Sequence, residues 1–320
     1  MIGALLSLTS AFSFSVNAIL VRRGIAGAGA TPSQGAFITV LLGVPFGFVA
    51  VVLTGQLLRF GEISGSGYGL LLAAGVVHFG LGRYCNYRAI GAIGASRAGP
   101  IQAVTIPYSI GMAVVLLEET ISLLMGIGIL LILIGPAAMI ERQSPSGPSV
   151  VATDSDRRKG SAPLVQEIEL RQFEGYSFAI FAAIAYGTSP ILIRAALEDA
   201  TRTAAVGTFI AYVGAAVVLL ISLILPGRRQ LMGAINFRYM RLFGGAGLSV
   251  FLAQLLRFFA LSMADVSIVN PLQRMASVFT LILSYLLNRS LEKINFKVVL
   301  GVLISFAGSA LLVFAAATGN

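Results

Sequence analysis

The sequence predicts an all-α membrane protein with ten transmembrane helices, built as two inverted five-helix repeats. Three observations carry that prediction: a composition too poor in charge to face water, ten apolar runs of bilayer length, and matched segments about 172 residues apart. Of the 320 residues, 57% are hydrophobic and 11% charged, with mean hydropathy +0.91. Soluble domains carry about 25% charged residues. A chain this short of charge cannot cover a water-facing surface, so the lipid bilayer is its expected surrounding.

A membrane helix takes about 20 apolar residues. Runs of that kind occupy 2–21, 35–54, 67–88, 98–117, 121–140, 176–196, 204–225, 242–262, 266–286 and 296–316. No basic region precedes the first run, and Arg22 and Arg23 follow it, so it reads as a true first span and not a removable signal. The third run holds Cys85, the one cysteine, which can form no intrachain disulfide. Between the fifth and sixth runs, 141–175 is rich in Ser, Pro, Gly and mixed charge, the composition of a linker. Within it, 164–173 is expected to be a solvated tether or a short amphipathic turn on the membrane surface. The expected organisation is therefore a five-helix unit over 1–140, a polar linker over 141–175 and a second unit over 176–320.

The two units repeat each other. SVNAILVR at 15–22 matches GTSPILIR at 187–194, an offset of 172. GPIQAV at 99–104 matches NPLQRM at 270–275, an offset of 171, and GILLILIG at 128–135 matches GVLISFAG at 301–308, an offset of 173. Five spans per unit is an odd number, so the second copy starts from the opposite face and the two are related by an axis in the membrane plane. Secondary transporters recur to this arrangement, with the substrate site near the midplane between the copies.

YRAI (87–90), GASRAGPIQAVTIPY (94–108), LLEETIS (116–122) and Gly126, Gly128 and Gly135 follow one another in the first unit. FFAL (258–261), VSIVNPLQRM (266–275), LLNRSLE (286–292), Gly301 and Gly308 answer them in the second. This order resembles the EamA-type transporters of the drug/metabolite transporter superfamily, over nearly the whole chain except the linker. Two departures stand out: Arg289 takes the place that Glu119 holds in the first copy, and the chain has no Trp. The resemblance implies export of small metabolites from a cell (inner) membrane.

Pro100, Pro107 and Pro271 are the expected helix perturbations. A proline inside a helix removes a hydrogen bond, and in lipid the freed carbonyl needs protein or water. In the first turn a proline is harmless, a reading open to Pro100; Pro107, further in, fits it less well. Gln102 and Gln273 are poor choices for lipid and are expected to face a cavity or bond across helices. Arg83, Arg257 and Arg274 lie in or beside spans, where a charge normally faces a cavity or a partner; Arg88, near a span end, reads as snorkelling. With no Asp or Glu well inside the spans, a cavity holding these arginines favours a carboxylate or phosphate. Asn17, Tyr186 and Tyr108 complete the expected substrate-binding set, the aromatic rings as stacking surfaces or interfacial anchors. His78, the one histidine, reads as a proton relay or, more commonly, as a residue hydrogen-bonded within the bundle.

Other classes lack their residues. The spans hold no paired aspartates, His-Glu metal motif or nucleophile–base pair, no acidic cluster for magnesium and no P-loop, so no enzyme, metal or cofactor is expected. The first span has no acid of the kind small multidrug exporters use for proton exchange. The expected function is a secondary carrier of a small organic metabolite, anionic or zwitterionic by preference and driven by protons or another ion. The alternatives are an uptake or exchange carrier for a phosphorylated solute, such as a nucleotide-sugar or sugar phosphate, and a non-transporting scaffold. The net charge of +9 is not a nucleic-acid signal. Of 22 Lys and Arg, 15 lie in the loops after spans 1, 3, 5, 7 and 9 and three (Arg59, Arg194, Arg202) on the other side. That bias places the basic loops in the cytoplasm and both termini outside, whereas ten-span members of the family generally have both termini inside.

Overall fold

The computed structural model describes residues 1–28, 32–93, 98, 101–139, 162–198, 200–224, 237–287 and 296–318. Pro100 and Arg289 lie outside the described residues. Twelve α-helices are named here in chain order: α1 (Ile2–Ala28), α2 (Pro32–Leu53), α3 (Gly65–Gly75), α4 (Arg83–Ile93), α5 (Thr105–Leu116), α6 (Leu123–Met139), α7 (Ala162–Leu197), α8 (Ala204–Ser222), α9 (Phe237–Met263), α10 (Val266–Gln273), α11 (Met275–Leu287) and α12 (Phe296–Thr318). Among the described residues there is no strand, as a bilayer demands of backbone that must satisfy itself internally.

Among the described residues, eight stretches are long and apolar enough to cross a membrane: Ile2–Val21, Gln34–Leu53, Gly65–Asn86, Gln172–Leu197, Ala204–Ser222, Phe243–Met263, Val266–Leu283 and Val299–Thr318. Thr105–Leu116 and Leu123–Gly135 are shorter apolar helices. The sequence reading gives full-length spans at 98–117 and 121–140, and the described helices there fall short of it. In the first case the cause is local. The chain leaves the helix at Ala103–Val104, where Val104 N donates to Ile101 O (3.1 Å) and Ile106 N to Ala103 O (3.2 Å), tighter bonds than an α-helix makes.

The same interruption recurs 171 residues on. Between α10 and α11, Arg274 N donates to Pro271 O (2.9 Å) and Ser277 N to Arg274 O (3.1 Å). Pro271 sits inside α10 and denies Ser267 O its helical partner. Pro107, by contrast, is the third residue of α5, a first-turn position where a missing N–H costs nothing. The expectation of an interior Pro107 is thus corrected: the break at 103–104 restarts the helix just ahead of it.

Two further features depart from the sequence reading. The segment 164–173 is neither tether nor separate turn; it belongs to α7, whose 36 residues span about 54 Å at 1.5 Å each. That exceeds the roughly 30 Å hydrocarbon core, so the first turns of α7 project beyond it. The third span is also not one α-helix. Between α3 and α4, Val76–Gly82 form a π-helical turn, bounded by Gly75 and containing Gly80 and Gly82. A Cβ on Gly75 would lie 2.0 Å from Ala211 O, so only glycine lets α3 meet α8 at this depth.

Packing joins the halves through α1 against α9, α6 against α12, α4 and α3 against α7, and α2 against α8. In the α6–α12 pair, Gly128 faces Gly308: a Cβ on Gly308 would sit 2.7 Å from Gly128 O. Close backbone approach through small residues is the usual means of helix association where lipid removes the hydrophobic driving force. The largest apolar cluster, including Val51, Leu71, Leu197, Val206, Leu261 and Val266, gathers at the face opposite the linker.

That face is also tied by cross-chain caps. Glu119, 8% exposed, lies in the loop between α5 and α6, just after Glu118 turns at φ +54°. Its carboxylate accepts from Val266 N (2.7 Å) and Ser267 N (2.9 Å), the first amides of α10. Gln56, in the loop after α2, accepts through Oε1 from Ala205 N (2.9 Å) and Val206 N (3.3 Å), the first turn of α8. Arg194 donates to Leu261 O (3.1 Å) and pairs with Asp265 (3.5 Å). Helix N-termini carry unsatisfied donors and a positive dipole end, so a carboxylate there is doubly matched.

Candidate functional site: a cationic cavity in the bundle

α1 runs a polar stripe at helical spacing, Ser7, Ser10, Asn17, with Phe14 and Val21 on the same side. α9 sets Gln254 and Arg257 three residues apart on one face. The π turn does the corresponding work in the third span. Five residues along an α-helix are rotated by about 140°, whereas an i→i+5 ladder stacks them. His78 and Arg83 are five apart, and both face inward.

Together these elements enclose a cavity of about 450 Å³. Its polar lining includes Asn17, Thr39, His78, Arg83, Asn86, Gln102, Thr105, Tyr186, Gln254, Arg257, Asn270, Gln273 and Arg274. Three arginines line it, and no Asp or Glu is among the lining residues. The lining comes from the mid-parts of α7, α9 and α10–α11, from the π turn and the start of α4, from the break ahead of α5, and from the linker-side parts of α1 and α2. The cavity therefore extends towards the linker face, while the opposite face is closed by the apolar cluster and the caps. A second, larger groove of about 590 Å³ lies between α5 and α6 on the outside of the bundle, lined by apolar side chains such as Ile110, Val115 and Leu130. It carries no polar chemistry.

The local bonds sort the sequence candidates. Gln102 Nε2 donates to Asn86 Oδ1. Gln273 Nε2 donates to Ser7 O (3.2 Å) and Ser7 Oγ (3.1 Å), and its oxygen accepts from Ser10 (3.3 Å). The two amides thus find separate partners and do not meet each other. Arg274 donates to Gln102 O, linking the two interrupted spans at their breaks. Arg83 donates to Thr39 Oγ1 (3.2 Å) and Ala36 O (3.4 Å) and lies over the Phe79 ring at 5.1 Å. Asn17 donates to Ala246 O (2.8 Å), and the Tyr186 ring stands 5.0 Å from that of His78.

Tyr108 is not brought in. It bonds Thr188 across α5 and α7 at 3.0 Å and packs on Gly187, outside the cavity lining. Tyr108→Phe is expected to lower stability by about 0.6 kcal/mol, a typical interhelical bond, and to leave ligand affinity unchanged; a thermal melt with and without ligand checks both. Arg88 pairs with Glu174 and lies over Phe178 near the span end.

His78 is more central than its sequence suggests. The Gln254 amide lies 3.0 Å from His78 Nε2, and Arg257 Nη1 3.5 Å from Nδ1. The Gln254 atom that faces His78 Nε2 is its amide nitrogen, a donor, so that ring nitrogen accepts, while the 3.5 Å approach of Arg257 to Nδ1 is the longer of the two contacts. Gln254, Asn86, Asn270, Thr39 and Thr105 are the lining residues that sequence reasoning missed. Their signal was present in part: each is a polar residue inside an apolar run, and Asn270 directly precedes the repeated proline.

The family model of EamA-like transporters matches residues 1–140 and 173–314. The chain belongs to the EamA-like transporter family. As a member it is a multi-pass integral membrane transporter of the drug/metabolite type. A search of curated proteins finds no match. A crystal structure of a protein 15% identical superposes with a TM-score of 0.70, covering 99% of this chain and 98% of that one, a likeness that shows the fold.

Proposed function

We propose that this EamA-like transporter is a secondary carrier that exports a small organic metabolite, anionic or zwitterionic by preference, by alternating access across the cell membrane. The observation that carries this reading is a polar cavity within the bundle, with the apolar cluster and the helix caps on one side of it and its lining extending towards the other face. Three arginines without an acid in that lining favour a negatively charged solute. They suit a phosphorylated solute, taken up or exchanged, as a second reading.

The same proposal takes the chain as ten spans in two inverted repeats, 1–140 and 176–320. In its support, helix pairings come in equivalent sets. α1 packs on α9 as α7 packs on α3 and α4; α2 packs on α9 as α8 packs on α3; α1 packs on α10 and α11 as α7 packs on α5. The breaks after Gln102 and Gln273 form another such pair. The charge bias assigns the linker face to the cytoplasm, which a C-terminal reporter fusion tests directly.

The decisive experiment is purified protein in liposomes, offered a metabolite panel with and without a proton gradient. Saturable flux of one solute is expected, and gradient dependence identifies proton coupling. Arg257→Gln, at equal protein level, is expected to reduce that flux about thirtyfold or more, the loss of a buried charge contact. Absence of flux for every solute favours a scaffold; flux retained in the variant removes Arg257 from the site.

A further inference from the structure

Three residues that line the cavity each carry a buried polar atom with no hydrogen-bond partner: Arg257 Nε, Asn270 Nδ2 and Thr105 Oγ1. Arg257 is 5% exposed and Asn270 7%. They come from three different helices, α9, α10 and α5. All three have hydrogen to donate; none is a bare acceptor with an unmet need. An unsatisfied buried donor costs about 1–3 kcal/mol, more when charged, and a native fold keeps such groups where something else fills the need.

Charge narrows what that is. Arg257 has no salt-bridge partner among the described residues, and its one polar contact is the 3.5 Å approach to His78. Two further guanidinium groups, Arg83 and Arg274, line the same cavity. A buried guanidinium without a carboxylate is strongly unfavourable. A water molecule can satisfy an amide or a hydroxyl, yet it leaves the positive charge uncompensated. An oxyanion meets both demands at once, as it accepts several donors and neutralises the guanidinium.

We infer that Arg257, Asn270 and Thr105 form an oxyanion-binding subsite that holds the carboxylate or phosphate group of the solute. The inference rests on the carrier reading for its purpose, though binding itself requires no transport. The subsite sits beside the breaks of the two interrupted spans: Thr105 opens α5 after the first break, and Asn270 lies one turn before the second. Arg274 and Gln102, joined across those breaks, flank it. Cationic solutes find no carboxylate in the lining and are excluded by the same charges.

The test uses purified protein in detergent, at constant ionic strength in chloride, and follows the unfolding midpoint with added inorganic phosphate, benzoate, benzamide or choline. A saturable rise with phosphate or benzoate, and none with benzamide or choline, is expected. A response to benzoate alone assigns the subsite to carboxylates, and a response to phosphate alone to phosphoryl groups. Arg257→Gln and Asn270→Asp are expected to abolish the response, and Thr105→Val, which keeps the side-chain shape, to weaken the apparent Kd about tenfold. Arg59→Gln, an exposed control paired with Glu62, is expected to change nothing. No rise with either anion, an equal rise with benzamide or choline, or a Thr105→Val protein with unchanged Kd overturns the subsite. Flux without oxyanion binding overturns it and leaves the carrier standing; oxyanion binding without flux of any solute does the reverse.

Discussion

Gly75→Ala is expected to destabilise the protein by about 1–3 kcal/mol, as overpacking of a tight contact does. The added Cβ falls 2.0 Å from Ala211 O, 2.7 Å from Ala211 C and 2.8 Å from its Cα, all backbone atoms that cannot rotate away. α3 must move off α8, and the π turn that begins at Val76 moves with it. His78, three residues on, then loses its register against Gln254 and Arg257. A loss of ligand response is expected alongside the fall in melting temperature. Gly69→Ala is the matched control: nothing lies within 4 Å of its Cβ position, so the change is expected to be neutral or to add up to about 1 kcal/mol through helix propensity. Equal effects at both positions would show that close approach at Gly75 is not what matters.

Glu119→Ala is the second large effect. The substitution leaves Val266 N and Ser267 N buried without acceptors, at about 1–3 kcal/mol for each group. Asp265, which precedes α10, does not cap it with its own side chain, so no local group takes over. Glu119→Gln keeps one acceptor and is expected to lose roughly half as much. Thermal unfolding of the two variants against the parent gives the ordering. The damage falls on the face that closes the cavity, so a membrane-impermeant quencher added from that side is expected to reach the cavity in the Ala variant. An unchanged melt for Glu119→Ala would show the cap to be idle.

Much of the class was legible because bilayer length and low charge leave few alternatives. The Pro-x-Gln pair was legible as a repeated position, and so were the arginines, since an amide or a guanidinium in an apolar run stands out by type alone. The chemistry around them was not. Which partner satisfies Gln102 depends on Asn86, sixteen residues back on another helix, and sequence spacing does not carry that. The π turn escaped because Gly75, Gly80 and Gly82 look like ordinary small packing residues, while the extra residue per turn appears only in the backbone ladder. Tyr108 was misread for a related reason: a tyrosine in a span can bond a neighbouring helix or face a ligand, and only the position of Thr188 decides. Glu119 was seen as a marker in a loop, and its work at the start of α10 lies 147 residues away.

That long reach bears on how the chain is made. Gln56 and Glu119 both belong to the part synthesised first, and both serve helices synthesised later. While the ribosome is still producing α7, these two side chains are hydrated acceptors that need nothing. α8 and α10 have the opposite condition: each enters the membrane with bare amide hydrogens that only the earlier half can cover. For these two caps the dependence runs one way along the chain. Expressed as separate pieces, the later half needs the earlier one present in order to insert with these two helix ends satisfied.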